Sequence, residues 1–166
     1  MIERAEPPFA ASEREMLGSW LDFHRATLAL KCEGLTDDQL RTRSAEPSSL
    51  SLLGLVRHMA EVERGWFRQV LAGEDVPDIY STEQDPEAAF NDVSSADVQA
   101  DFAAWTAECD LARQAAAALP SLEEFARQRT YRGSAVTLRW ILVHMIEEYA
   151  RHNGTDRRRR GRLNRT

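Results

Sequence analysis

The sequence predicts an all-α fold, a four-helix up-down bundle. Four segments of the 166-residue chain repeat apolar residues at spacings of three and four, which is the period of an amphipathic helix. No internal repeat and no alternation of strands with helices is visible, so a solenoid or a parallel sheet is not indicated. Long helices joined by short or medium connections are typical of an up-down bundle.

The first helix is predicted over about 11–33. Ser12 and Glu15 have the spacing of a capping box, in which two side chains satisfy free N–H groups of the first turn. Gly34 follows the last apolar position and is a suitable stop, because glycine tolerates the left-handed conformation found after many helices. The polar stretch that follows has room for one short turn of helix.

The second helix is predicted over about 51–72 and ends at Gly73. Its buried face repeats at three and four residues: Leu52, Leu55, Met59, Val62, Trp66 and Val70. Residues 74–93 then form the longest irregular connection. Connections of this length are often functional in a compact domain.

The third helix is predicted over about 94–118, from a serine cap to a stop before Pro120. A mixed stretch follows that can hold a short extended piece or a loop. Thr137 is expected to cap the fourth helix, which we expect to end at His152 because Asn153 and Gly154 come next.

Charge divides the chain into an acidic body, 1–154, expected to be one domain, and an Arg-rich tail, 155–166, expected to be disordered. The net charge is −6, and because the tail contributes +5, the body carries −11. An acidic body argues against nucleic acid as a partner, which requires a basic face. No apolar run is long enough for a membrane span, and with no export signal visible we expect a cytoplasmic protein.

Two cysteines, Cys32 and Cys109, are too far apart in sequence for a CxxC metal motif. Both fall within helical patterns. We therefore expect two reduced, partly buried thiols and neither a disulfide nor a nucleophile.

The fourth helix carries the chemistry. His144, Glu148 and His152 follow one another at intervals of four residues, so they form one row along the helix. On the second helix, His58 lies at the margin of the buried stripe and can point across the bundle. A buried carboxylate must be neutralised or matched, and two His with one Glu are the ligands of open catalytic zinc sites.

A purely structural alternative stays open at this point. Glu148 can pair with an arginine such as Arg151 or Arg57, and core histidines are usually only hydrogen-bonded. His24 faces the buried side of the first helix and has the same two interpretations.

Two segments, "LSLLGLVRHMAEVERGWF" and "TLRWILVHMIEEYARHNG", resemble the DinB-like superfamily. They are most similar to the actinobacterial branch related to mycothiol-dependent maleylpyruvate isomerase and mycothiol S-transferases. The resemblance covers nearly all of residues 11–154. It implies a four-helix bundle holding a divalent metal, usually taken to be zinc, with nickel or another transition metal as alternatives. Matched residue by residue, it implies His58, Glu148 and His152 as ligands, with His144 as a pocket residue or spare ligand.

The resemblance implies a metal-dependent thiol transferase or isomerase, with mycothiol as cosubstrate and a small-molecule electrophile as partner. We expect His144 and Arg57 as catalytic candidates, and Arg151 and His24 as cosubstrate-binding candidates. A metal-dependent hydrolase and a non-catalytic metal- or ligand-binding bundle remain alternatives. Relatives often dimerise, and the apolar surplus on the first helix permits a homodimer.

Overall fold

The computed structural model describes residues 3–43 and 50–163, with 155–163 as backbone. The described residues form helices and no strand beyond one isolated antiparallel bridge between Phe125 and Thr137. The predicted all-α class is therefore confirmed. The elements are α1 (Glu13–Cys32), α2 (Asp37–Arg41), α3 (Leu52–Glu63), a π-helical segment (Arg64–Leu71), α4 (Ala88–Asn91), α5 (Val98–Ala117) and α6 (Leu138–Leu163).

Side-chain caps begin the long helices. The hydroxyl of Ser12 accepts from the backbone N–H of Glu15 at the start of α1, and Thr137 does the same for Trp140 at the start of α6, as the sequence predicts. The prediction for α5 was wrong, because Asp97, rather than a preceding serine, caps it. The carboxylate of Asp97 is as good a partner for the first free N–H groups as a serine hydroxyl.

The predicted second helix is one continuous rod with two geometries. It is α-helical to Glu63 and π-helical from Arg64, where the ladder shifts to i→i+5 bonds such as Ala72 N–H to Phe67 C=O. It ends at Gly73, whose φ of +68° is the left-handed conformation expected after a helix. Wide π turns are rare and recur at functional sites.

The predicted end of the last helix was wrong. Instead of ending at His152, α6 continues through Gly154 to Leu163. Arginine is a good helix former, whereas one glycine inside a helix costs only about 1 kcal/mol. The predicted disorder of 155–166 stays a prediction, and residues 164–166 lie outside the described residues.

The chain divides into two compact units. One contains 1–36 and 142–166, and its fully buried side chains include Leu21 and Leu28 on α1 and Met145 and Tyr149 on α6. Leu21 and Leu28 are seven residues apart and Met145 and Tyr149 are four apart, so each pair lies on one face of its helix, which is what a helix–helix core requires. The predicted single domain over 1–154 stays a prediction.

The other unit, 37–141, contains α2 to α5, the π-helical segment and the first turn of α6. Its core is built mainly by α3, α5 and the π-helical segment, with buried members that include Leu53, Val56, Met59, Phe67, Trp105 and Ala112. Deep burial of this kind contributes roughly 25 cal/mol per Å² of apolar surface. The predicted connection 74–93 contains α4 and closes against this core through Phe90 and Val93.

Two further findings bear on function. Cys32 and Cys109 are both buried, and neither forms a disulfide. Within the residues described, we find no helix long and apolar enough to cross a membrane.

Candidate functional site

The predicted row on α6 is a compact polar cluster. Nε2 of His144 lies 3.5 Å from Oε1 of Glu148, and Nε2 of His152 lies 3.5 Å from Oε2 of the same carboxylate. One carboxylate therefore has an imidazole against each of its oxygens. The helix itself creates this arrangement, because side chains four residues apart lie on one face.

The cluster is largely shielded from water. The side chains of Glu148 and His152 are 17% and 22% exposed. Burial lowers the pKa of His152, while the neighbouring Glu148 carboxylate opposes that shift and Arg151 adds to it. The structure thus favours a neutral imidazole at His152, the form of histidine that binds metals.

Three side chains of α6 form a further possible metal-binding group, which shares His144 and Glu148 with the row described above. His144, Glu147 and Glu148 offer ligand atoms that lie within 4.8 Å of one another. Glu147 is exposed and accepts a hydrogen bond from Arg151, so it belongs to the solvent side of the helix. This group is compatible with the predicted role of His144 as a pocket residue or spare ligand, which stays a prediction.

Arg151 lies at the edge of the cluster. Its side chain is 62% exposed, and Nη1 lies 3.9 Å from Oε1 of Glu148. An ion pair this long and this exposed contributes little, about 0–1 kcal/mol. The structural alternative, neutralisation of Glu148 by Arg151 alone, is therefore weakly supported.

His58 belongs to the other unit, on α3. Its ring is half-buried and stacks on Phe90 of α4, with centroids 5.0 Å apart. Its neighbours Arg57 and Met59 are buried. α3 therefore presents His58 at the edge of its core-facing stripe, where the sequence placed it.

Arg57 is enclosed by its own unit. It is 7% exposed, its guanidinium carbon lies 4.1 Å from the centroid of the Tyr80 ring, and Nη1 lies 3.5 Å from Oδ2 of Asp101. Two backbone carbonyls, of Ala88 and Asp92, accept from the same guanidinium. These contacts tie α3, α4 and α5 together. The predicted catalytic role of Arg57 stays a prediction, and its contacts describe a structural one.

His24 is half-buried on α1 between Trp20 and Phe23. Its Nδ1 is buried and has no hydrogen-bond partner, and burial lowers the pKa of the imidazole. The predicted role of His24 in binding a cosubstrate stays a prediction.

Sequence analysis missed Asn153. This residue is 9% exposed. Its side-chain Nδ2 donates to the backbone carbonyl of His24, and its backbone carbonyl accepts from Nζ of Lys31. It fastens α6 to α1 directly beside His152. The signal was present in the sequence, since an asparagine follows the histidine, but in the pattern "HNG" it indicated a helix end.

Comparison with known proteins agrees with the resemblance drawn from the two motifs. Comparison with curated proteins gives no match. A family profile described as mycothiol-S-transferase matches residues 16–164, which includes all but the first three residues of α1, both segments of the resemblance and every candidate site residue. The chain belongs to the mycothiol-S-transferase family.

Proposed function

We propose that the protein transfers a low-molecular-weight thiol of the mycothiol type to small electrophiles, with a divalent metal held by His58, Glu148 and His152. The observation that carries the proposal is the Glu148–His152 pair, half-buried on α6 inside the span that matches the mycothiol-S-transferase family. Zinc is the first metal to test.

The donor set fits a divalent ion. Glu148 provides a carboxylate and His152 an imidazole from adjacent turns, and His58 supplies a second imidazole; each of the three offers a ligand atom and is partly buried. Two His and one Glu are a known catalytic zinc ligand set that leaves a position open. A positive charge would also match the Glu148 carboxylate better than the exposed Arg151 does.

The metal ion and the protein side chains have separate roles in the proposed reaction. A bound divalent ion supplies the positive charge that lowers the pKa of a thiol and keeps it as thiolate. In the transfer, the thiol loses its proton to solvent, a sulfur–carbon bond forms, and the leaving group departs with its electron pair. His58, Glu148 and His152 would hold the ion, and His144, whose Nε2 lies 3.5 Å from Oε1 of Glu148, would orient that carboxylate.

Metal content of the purified protein tests the site. We expect His58→Ala and His152→Ala each to lower bound metal at least tenfold, measured by mass spectrometry of the eluted ion with the fold checked by circular dichroism. His24→Ala, the same change outside the ligand set, is the matched control and should retain metal. Equal metal in wild type and His152→Ala would refute the ligand assignment.

Thiol dependence tests the reaction. With 1-chloro-2,4-dinitrobenzene as electrophile, turnover should require added thiol and release one chloride for each thioether formed. Turnover without thiol would instead indicate that the site activates water, as in the hydrolase alternative.

A further inference from the structure

A cavity of about 690 Å³ opens beside the π-helical segment, within the unit 37–141. Its walls are formed by residues 73–76, by residues 128–131 and by one face of the rod, namely Val62, Gly65, Trp66, Gln69 and Val70. Small-molecule sites usually measure about 300–1,000 Å³. The cavity is therefore large enough for an aromatic molecule.

One wall is apolar and rigid. Val62, Trp66 and Val70 follow one another along the rod, and each is only half-buried because its outer face borders the cavity. Trp66 packs on Trp140 at a ring separation of 5.2 Å, which limits the motion of the indole. A flat aromatic ring is the shape that best covers such a wall, since stacked or edge-on aromatic pairs gain about 0.5–1.5 kcal/mol beyond burial.

Three polar side chains of the lining are engaged by other groups of the protein. Nε2 of Gln69 donates to the Val76 carbonyl and to Asp78, and Nη1 of Arg129 donates to the Gly133 carbonyl. Oε2 of Glu74 accepts from Arg68. These three side chains are therefore less available to a strongly polar ligand.

The formal charge of the cavity lining also selects among ligands. Among the described residues that line the cavity, Glu74 and Asp75 are acidic and Arg129 is the one cation, so the formal charge of the lining is −1. A carboxylate would be repelled, whereas a neutral ring would not.

We propose that this cavity binds the aromatic portion of an uncharged electrophile, the acceptor of the transferred thiol. The inference rests on the proposed function for the identity of the acceptor, and on the cavity alone for the binding. Val62 follows His58 by four residues on the same face of α3, so the cavity begins one helical turn from a proposed metal ligand.

Gly65 offers a direct way to fill the cavity. It lines the cavity, and a Cβ added there would meet only Oε1 of Gln69, at 3.7 Å. Leucine is also a better helix former than glycine. Gly65→Leu should therefore fold and should place its side chain in the space that we assign to the ligand. Gly18→Leu on α1, where an added Cβ meets nothing within 4 Å, is the matched control.

The test uses full-length purified protein without thiol and the unreactive probe 1,3-dinitrobenzene, which carries no leaving group. Calorimetric titration should give saturable binding, with Kd raised at least tenfold in Gly65→Leu and unchanged in Gly18→Leu. The anionic 3,5-dinitrobenzoate should bind at least tenfold more weakly than the neutral probe. Tyr131→Ala, at a rim residue that is 86% exposed, is a second variant that cannot unfold the core and should weaken binding by a few fold.

Equal affinity in wild type and Gly65→Leu, or equal affinity for the anionic and neutral probes, would overturn the assignment. Failure of the proposed function looks different. In that case the probe would bind as described, but 1-chloro-2,4-dinitrobenzene would not react in a thiol-dependent way.

Discussion

Two carboxylates, one in each unit, are removed from water and matched in different ways. Glu108 on α5 is 3% exposed and has guanidinium groups against Oε1, with Nη2 of Arg64 at 2.6 Å and Nη1 of Arg68 at 3.2 Å. Glu148 on α6 has an imidazole against each oxygen, both at 3.5 Å. The first arrangement is short and formed by charged groups on Oε1, although Oε2 of Glu108 is buried with no hydrogen-bond partner among the described residues. The second is longer and formed by imidazoles, which can bind a metal.

This comparison distinguishes Glu108, a structural buried acid, from Glu148. Arginine stays charged at any physiological pH and forms charge-assisted bonds in a fixed fork geometry, so Glu108 is neutralised permanently. Imidazoles neutralise a carboxylate only when protonated, and burial lowers the pKa of His152. The imidazoles therefore give Glu148 no permanent positive charge, and a bound cation can supply that charge.

The largest effect on stability is expected from Glu108→Gln. The change leaves Arg64 without its carboxylate and Arg68 with Glu74 alone, which costs about 3 kcal/mol of unfolding free energy. Urea unfolding measures it. The matched change, Glu148→Gln in metal-free protein, should cost less than about 1 kcal/mol because its close neighbours are imidazoles and not permanently charged guanidinium groups. Equal losses at the two positions would break the distinction between them.

The next effect is on activity. Glu148→Gln should lower bound metal at least tenfold and thiol-transferase kcat/KM at least about 100-fold, which corresponds to about 2.7 kcal/mol. Glu147→Gln changes the adjacent, exposed carboxylate and should leave both quantities within about twofold. A Glu148→Gln protein with full metal content would contradict the ligand role.

The smallest effect is on the pH dependence of stability. Burial lowers the pKa of His24 and His152 below 6.5, so folded protein binds fewer protons than unfolded protein once the pH falls below that value. Stability is thus complete above pH 6.5 and decreases toward pH 5.5. His24→Gln should reduce this decrease, measured by urea midpoints at pH 7.5 and 5.5 with EDTA present.

Arg64→Lys tests whether the Arg64–Glu108 pair contributes to the acid loss of stability. Because guanidinium and ammonium are both charged across this pH range, the variant should lower stability at both pH values by the same amount. A steeper acid loss in Arg64→Lys, or an unchanged one in His24→Gln, would contradict the assignment of acid sensitivity to the imidazoles.

Local rules predicted most of the fold. Caps and glycines fixed the ends of several helices, as Ser12, Gly34, Gly73 and Thr137 show. The end of α6 could not be predicted in this way, because Asn153 is engaged by α1 instead of ending the helix. The π-helical segment was equally invisible, since its apolar spacing is compatible with a continuous α-helix.

The row on α6 was predictable for a different reason. The contacts of Glu148 with His144 and His152 depend only on helical spacing, which the sequence states directly. The enclosure of Arg57 depends on Asp101 and Tyr80, residues 44 and 23 positions away along the chain, and no local pattern links them to it.

By itself, then, the sequence determined the helices, their buried faces and the polar row that ends in His152, because each depends on residues within a few positions of one another. Only the tertiary structure shows which buried acid forms ion pairs with arginine, how Asn153 joins α6 to α1, and where a cavity opens beside Trp66. These features depend on side chains that only folding brings together, and their stability comes from burial that no local sequence pattern records.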